Sequence, residues 1–139
     1  MRRIHHLGVL VRSIAAVLPL YTELLGFEAD APFDLPEQHV RVVFLRAGGD
    51  RIELLEPLTA DCPLALVLAK RGEGLLHVCL EVDDIDGTLR RLETGGVRLV
   101  DLHPWASPIG RVAFLHPKSF HGVSVELVQR PEDPAEGPV

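Results

Sequence analysis

The sequence predicts an α+β fold in which two tandem βαβββ modules form one curved, cleft-enclosing mixed sheet. The first observation is a repeat, because residues 6–14 and 77–85 share a histidine, an alternating apolar run, a polar pair and an isoleucine. The second is that glycines and apolar pairs elsewhere recur at nearly the same offset, as Gly26 with Gly96 and Phe44 with Phe114. A period of about 70 residues indicates two modules rather than a solenoid.

The first module is predicted over about residues 4–58. Residues 4–11 alternate as a strand does, and Ser13 is a good N-cap for a helix over residues 14–25 that Gly26 ends. A short strand over 27–29, a proline-containing loop over 31–39, and strands over 40–46 and 51–56 complete the module. Helical spacing places one apolar stripe on the helix, formed by Ile14, Val17, Leu18, Tyr21, Leu24 and Leu25.

The second module is predicted over about residues 74–129, after a connector at 59–73 in which Pro63 starts a helix. Its elements are a strand over 75–82, a helix to residue 93 capped by Asp83 or Asp84, and a strand over 97–101. A loop over 103–110, a strand over 111–115, a turn over 116–122 and a strand over 123–129 follow. We expect residues 1–130 to form a single domain and the proline-rich residues 131–139 to form a disordered tail.

Composition excludes several classes of protein. The formal charge is −6 and no basic face offsets it, so we expect no nucleic-acid partner. Cys62 and Cys79 are too few for a disulfide framework and fit a reducing, cytoplasmic location. The N-terminus lacks the apolar core of a signal peptide, and no apolar run approaches the length of a membrane span. We therefore expect no membrane association.

Each module carries one histidine on its first strand and one glutamate on its last, which are His6 and Glu53, then His77 and Glu126. All four alternate against a strongly apolar face. Carboxylates that point into a concave sheet are costly unless something pairs with them, and a divalent metal ion would resolve this cost. Imidazole with carboxylate ligands suits Zn, Co, Ni, Mn or Fe(II) better than Ca. The four residues are therefore candidate metal ligands.

Several local strings match a known family. They are Ile-Glu-Leu-Leu-Glu-Pro-Leu at 52–58, Lys-Arg-Gly-Glu-Gly-Leu-Leu-His at 70–77, Val-Asp-Asp-Ile at 82–85 and Phe-Leu-His-Pro-Lys at 114–118. With the duplicated module and ligand pattern, the chain resembles the vicinal oxygen chelate superfamily and, within it, methylmalonyl-CoA epimerases. The resemblance covers residues 4–129. Glyoxalase I enzymes are similar too and share the His, Glu, His, Glu ligand order.

The resemblance implies a metal-dependent epimerase of methylmalonyl-CoA or a related acyl-CoA, which removes the α-proton and holds the enolate on a divalent ion (Co, Ni, Mn or Zn). It implies that Glu53 or Glu126 acts as the base, and it implies a homodimer with an acyl-CoA or keto-type substrate. The first alternative is a lactoylglutathione lyase of the glyoxalase I type. The second is a metal-free small-molecule binding or resistance module. An extradiol dioxygenase fits less well, because its site has only three protein ligands.

Two positions depart from the epimerase pattern. Some family members carry a glutamate, proposed as a base, where this chain has Val42. The loop over 104–110 holds two prolines and the only tryptophan, Trp105, where the family has small, glycine-rich residues. The resemblance therefore leaves open which group replaces the base and what this loop does.

Other polar residues have more than one interpretation. Cys79 lies on the predicted face of His77, where a buried apolar role is favoured over metal contact. For the basic residues and histidines outside the four-ligand set, surface, turn or substrate-contact roles stay open. These are His5, Gln38, His39, Lys70, Arg71, Arg111, His116 and Lys118.

Overall fold

The computed structural model describes residues 1–131, in which nine strands and three α-helices form. By its internal contacts the chain divides into two compact units, residues 6–76 and residues 1–5 together with the chain from His77 onward. The predicted α+β class and both βαβββ modules are confirmed. The tail predicted at 131–139 lies, apart from Pro131, outside the described residues.

Module 1 builds a mixed half-sheet. Its strand order is β2-β4-β5-β1, with β3 also on β4; β1 runs parallel to β5 and the other pairs are antiparallel. The helix that follows β1 packs Ile14 against Val43, Leu45 and Leu54. The element bounds are β1 Arg3–Leu10, α1 Ile14–Pro19, β2 Glu28–Ala29, β3 Phe33–Leu35, β4 Val40–Ala47 and β5 Asp50–Pro57.

Module 2 repeats this arrangement in the order β6-β9-β8-β7, with β6 parallel to β9. Helix α3 begins at the Asp84 N-cap, whose carboxylate accepts from the Gly87 N–H, and buries Ile85 and Leu89 as predicted. The bounds are β6 Gly74–Glu81, α3 Ile85–Thr94, β7 Trp105–Ser107, β8 Gly110–Leu115 and β9 Ser124–Gln129. A 3₁₀ turn, Pro117–Phe120, lies between β8 and β9.

The first helix differs from the prediction after Pro19. The Ser13 cap and the packing of Ile14 and Tyr21 are confirmed, but residues Leu20–Leu24 form a π-helical segment closed by the Leu25 N–H on the Leu20 carbonyl. A π turn holds one extra residue, so it breaks the 3.6-residue spacing on which the stripe was based. Leu24 and Leu25 are consequently exposed, and the prediction that they lie in the stripe is wrong.

Three further segments correct the predicted loops and strands. The loops at 31–39 and 103–110 each contain a three-residue strand, β3 and β7, which pairs with the following strand. The strand predicted at 97–101 is only a bridge between Leu99 and Leu115. Side chains supplement the backbone hydrogen bonds there, because the Asp101 carboxylate accepts from the Phe114 N–H and the Ser119 hydroxyl accepts from the Arg98 N–H.

The connector contains the helix predicted from Pro63, α2, which spans Pro63–Arg71 and ends at Gly72 with a positive φ of 82°. Within residues 1–131, no helix is both long and apolar enough to cross a membrane.

Candidate metal and proton-transfer site

The parallel strand pairs bring a histidine and a glutamate together in each module. In module 1, Gly8 of β1 lies opposite Glu53 of β5, and His6 precedes Gly8 by two residues on the same face. His6 and Glu53 are therefore diagonal neighbours. The His6 Nε2 atom lies 3.4 Å from the Glu53 Oε1 atom, and both side chains are buried.

Module 2 reproduces this geometry. Cys79 of β6 lies opposite Glu126 of β9, and His77 precedes Cys79 by two residues. The His77 Nε2 atom lies 3.4 Å from the Glu126 Oε1 atom, and these side chains are also buried. The equal distance and equal register show that the sequence repeat extends to the positions of individual atoms.

A phenylalanine flanks each histidine, which the sequence analysis missed as a feature of the site. The His6 ring meets Phe44 edge-on at a centroid distance of 5.2 Å, and the His77 ring meets Phe114 at 5.7 Å. Each phenylalanine pairs directly across the strand from its glutamate. Edge-on packing of this kind fixes the orientation of an imidazole. The signal was present in the repeat, since Phe44 and Phe114 occupy equivalent positions.

Each His–Glu pair has the separation expected of two ligands on one metal ion. Zinc binds histidine nitrogen and carboxylate oxygen at about 2.0–2.2 Å, so two such ligands lie about 3.0 Å apart at a right angle and about 3.4 Å apart at the tetrahedral angle. Both observed distances are 3.4 Å. The side chains present in each module therefore fit a divalent cation, and neutral imidazole with carboxylate suits Co, Ni, Mn or Zn.

Besides Glu53 and Glu126, a third glutamate is buried, Glu81 of module 2, and its environment is different. Glu81 receives a hydrogen bond from the Arg3 guanidinium at 2.9 Å and lies 3.6 Å from Arg130. These arginines balance its charge, as a buried carboxylate requires. Glu81 thus forms structural ion pairs with two arginines, whereas Glu53 and Glu126 lie beside imidazoles.

Of the two positions that departed from the family pattern, Val42 is fully buried and Trp105 is half-buried. Val42 is fully buried on β4, between Phe33 of β3 and Leu55 of β5. Trp105 packs against Cys79 and Val112, and its Nε1–H donates to Asp101 at 3.3 Å. Cys79 is fully buried, as predicted, and packs against Val112 and Val128.

The remaining polar residues lie in turns or on the surface, except His5, which is buried. Arg111 forms a two-hydrogen-bond pair with Asp86, and Arg71 donates to the Leu75 carbonyl. His39 is exposed and holds a positive φ of 56° in the turn before β4. The turn role of His116 is confirmed, because its Nδ1 accepts from the Lys118 N–H.

Two βαβββ modules, each of which places a histidine beside a glutamate, define a class of proteins built from a duplicated module, and comparison with known families identifies that class. Residues 5–114 match the model of the Glyoxalase/Bleomycin resistance protein/Dioxygenase superfamily, and the chain belongs to that superfamily. The resemblance inferred from the sequence is confirmed.

The similar proteins narrow the relationship further. The ethylmalonyl-CoA/methylmalonyl-CoA epimerase of Cereibacter sphaeroides is 38% identical over 130 residues, 91% of this chain and 97% of that one. The methylmalonyl-CoA epimerase of Mycobacterium tuberculosis is 31% identical with a TM-score of 0.87, covering 94% and 89% of the two chains. A methylmalonyl-CoA epimerase solved with methylmalonyl-CoA and NH4+ is 34% identical with a TM-score of 0.89, covering 99% of each. The prediction that this chain is related to a family of isomerases is confirmed.

Proposed function

We propose that this protein is a metal-dependent epimerase of methylmalonyl-CoA or of a related acyl-CoA. The observation that carries the proposal is the duplicated His–Glu pair, held at the same 3.4 Å distance and the same strand register in both modules. The relatives that share the fold over nearly the whole chain are epimerases of this substrate class.

We further propose that residues 1–130 act as one domain and that His6, Glu53, His77 and Glu126 together bind one cation. Two neutral imidazoles and two carboxylates give a net neutral site with a divalent ion, which offsets the cost of the buried charges. Co, Ni, Mn and Zn suit this donor set. The active form is proposed to be a cytoplasmic homodimer.

The proposed reaction inverts the carbon between the thioester and the carboxylate of the substrate. When bound, the cation supplies Lewis-acid polarisation of the thioester carbonyl. A carboxylate takes the proton as the C2–H bond breaks, and the bonding electron pair moves into the carbonyl to form the enolate. A proton then returns to C2 from the opposite face, which restores the thioester in the other configuration. Phe44 and Phe114 hold the histidines in place beside these carboxylates.

Glu53 and Glu126 are proposed as the two proton-transfer groups. Val42 is apolar and fully buried, so the position at which some relatives carry a glutamate supplies no base here. A carboxylate of the metal site can take that role when it leaves the cation. Glu53 is the stronger candidate, because it shares module 1 and the same sheet face with Val42.

The absence of a glutamate at position 42 favours a second candidate, a lactoylglutathione lyase of the glyoxalase I type. Glyoxalase I enzymes share the His, Glu, His, Glu order of the proposed ligands. Both reactions remove a proton from a carbon beside a carbonyl group, so they place the same demand on the proposed base.

The deciding experiment is deuterium exchange at C2 of methylmalonyl-CoA in D₂O, with metal-loaded and chelator-treated protein in parallel. We expect exchange with inversion and no other product, and only the background rate after metal removal. Conversion of a glutathione hemithioacetal to a thioester, without exchange at C2, would instead establish the lyase. A protein that takes up no divalent metal on titration would contradict both enzyme proposals.

Glutamine substitutions separate the ligand and base roles. Glu53→Gln keeps an oxygen donor but removes the ionisable group, so metal content should be largely retained while exchange falls by about 100-fold or more. Glu126→Gln is the matched variant in module 2. A larger loss for Glu126→Gln than for Glu53→Gln would assign the principal base to module 2.

A further inference from the structure

Three basic side chains converge where β8 turns into β9, and we name Arg98, His116 and Lys118 the turn cluster. We propose that the turn cluster binds the phosphate groups of the substrate's coenzyme A portion. This inference rests on the proposed function, because it assumes that the substrate is an acyl-CoA. Coenzyme A carries a diphosphate and a ribose 3′-phosphate at the end remote from the thioester, so it needs a basic site away from the reacting carbon.

Backbone and side-chain hydrogen bonds hold the turn cluster together. The His116 N–H donates to the Arg98 carbonyl at 2.8 Å, and the Arg98 N–H donates to the Ser119 hydroxyl at 2.8 Å. The Lys118 N–H donates to the His116 Nδ1 atom at 3.1 Å. Arg98 and Lys118 are exposed while His116 is half-buried. The backbone thus fixes where the two long cationic side chains begin.

No carboxylate in the part of the chain that the structure describes balances the two permanent charges of the turn cluster. Among residues 1–131, neither Arg98 nor Lys118 forms an ion pair with a carboxylate. Elsewhere in this acidic chain, exposed arginines commonly do; the pairs are Arg3–Glu81, Arg12–Glu73, Arg41–Asp34, Arg46–Asp30 and Arg111–Asp86. Partial desolvation lowers the pKa of His116, and the nearby charges of Arg98 and Lys118 lower it further. Neighbouring like charges repel, and an anion placed between them would relieve that repulsion.

The turn cluster begins close to the His77–Glu126 pair. His116 lies two residues beyond Phe114, in extended backbone with φ −69° and ψ 129°, so it continues the face on which Phe114 and Glu126 lie. Two residues of strand span about 7 Å. Arg98 and Lys118 are exposed whereas His77 and Glu126 are buried, so their charges suit the remote end of a long substrate rather than its reacting end.

Module 1 has no equivalent of this cluster. Its β4–β5 hairpin turns at Gly48 and Gly49 between Ala47 and Asp50, whereas the β8–β9 connection contains a 3₁₀ turn. A substrate with one nucleotide end needs one such site, which agrees with its presence in one module alone.

The test measures binding of adenosine 3′,5′-bisphosphate, a nucleotide fragment of coenzyme A, by titration calorimetry. Arg98→Ala with Lys118→Ala should weaken binding by about tenfold. Arg90→Ala with Arg91→Ala, which removes the same charge from exposed positions on α3, should leave it within about twofold. The charge-retaining variant Arg98→Lys with Lys118→Arg guards against a folding defect and should keep most of the affinity.

Kinetics with two substrates complete the test. The double alanine variant should lose about tenfold in kcat/KM for methylmalonyl-CoA and several-fold less for the pantetheine thioester, which lacks the nucleotide. Equal losses for both esters, or unchanged binding of the bisphosphate, would overturn the proposal. If the wild-type protein shows no epimerase activity but the variants still lose bisphosphate binding, the proposed function fails while the phosphate site stands.

Discussion

The two modules share the geometry of the His–Glu pair but differ in how each phenylalanine beside it is held. In module 1, the N–H of Asp30 donates to the Phe44 carbonyl and β2 continues the ladder with backbone pairs. In module 2, the N–H of Asp101 donates to the Phe114 carbonyl, but the Asp101 carboxylate also accepts from the Phe114 N–H. Module 1 thus holds its phenylalanine with a paired strand, whereas module 2 uses the carboxylate of Asp101 in that place.

The parallel strand beside the glutamate differs as well. Leu10 of β1 and Glu81 of β6 are equivalent, both are buried, and Glu81 has arginine partners that Leu10 does not need. The strand register that sets the His–Glu distance is identical, however. The comparison teaches that register alone is sufficient to keep the pair in place while its surroundings diverge.

The largest expected effect tests whether the two His–Glu pairs are equivalent. If both modules contribute to one metal site, His6→Ala and His77→Ala should each reduce activity by at least about 100-fold and lower the metal content measured by elemental analysis. Glu126→Ala should lose both metal and activity. His103→Ala, on an exposed part of module 2, is the control and should bind metal as the wild type does. Retained metal in only one of the two histidine variants would show that the modules are not equivalent.

The second prediction concerns the missing base. Val42→Glu places a carboxylate at a fully buried position between Phe33 and Leu55, so unfolding free energy should fall by about 2–4 kcal/mol and epimerase activity should not rise. Urea denaturation and C2 exchange measure the two effects. Val112→Glu at the equivalent position of β8 is the matched variant and should be destabilised similarly. A stable and more active Val42→Glu protein would show instead that position 42 meets the substrate.

A smaller effect, on unfolding free energy, should distinguish substitution of Asp101 from substitution of its module 1 counterpart, Asp30. Asp101→Ala removes the acceptor for the Phe114 N–H and for the Trp105 Nε1–H, which should cost about 1–3 kcal/mol in unfolding free energy. Asp30→Ala removes only an exposed ion pair with Arg46 and should cost less than about 1 kcal/mol. Denaturation curves of the two variants, measured side by side, should therefore differ; coincident curves would contradict the role assigned to Asp101.

The smallest expected effect is a difference in stability that depends on pH. The hydrogen bonds from Arg111 lower the pKa of Asp86 below its ordinary value of 3.8. A lowered folded-state pKa stabilises the protein above the ordinary value, and that contribution is lost as the pH falls through the lower one. Asp86→Asn should therefore be slightly less stable than the wild type near neutral pH, and the two should converge once the pH falls below the lowered pKa of Asp86. A difference that grows on acidification would contradict the assignment.

The sequence predicted the module order and the strand faces that carry the histidines and glutamates, because both follow from a repeated alternation of apolar and polar residues. The pairing of Gly8 with Glu53 and of Cys79 with Glu126 comes from strand register, which the repeat alone does not define. The strands β3 and β7 were missed, since each is three residues long and lies in a proline-containing segment whose pairing comes from the neighbouring strand. Periodicity is not informative over so few residues.

The other errors came from interactions that no periodicity reveals. The π turn after Pro19 shifts Leu24 and Leu25 out of the predicted stripe. The spacing of apolar residues gives no sign of the hydrogen bond from the Leu25 N–H to the Leu20 carbonyl that closes this turn. The Asp101 carboxylate replaces part of a strand that the apolar residues around it had suggested. The short-range pattern predicted the histidine and glutamate positions of the candidate site, while long-range hydrogen bonds decided how their surroundings are built.

The parallel pairing of first and last strand in each module also has a consequence for protein synthesis. β5 precedes α2 in the chain, so His6 and Glu53 come together once the first half of the polypeptide has left the ribosome. β9 is the last strand of the second module, and Glu126 reaches His77 only near the end of translation. The order of the elements thus allows the first pair to form before the residues of the second pair have all been synthesised.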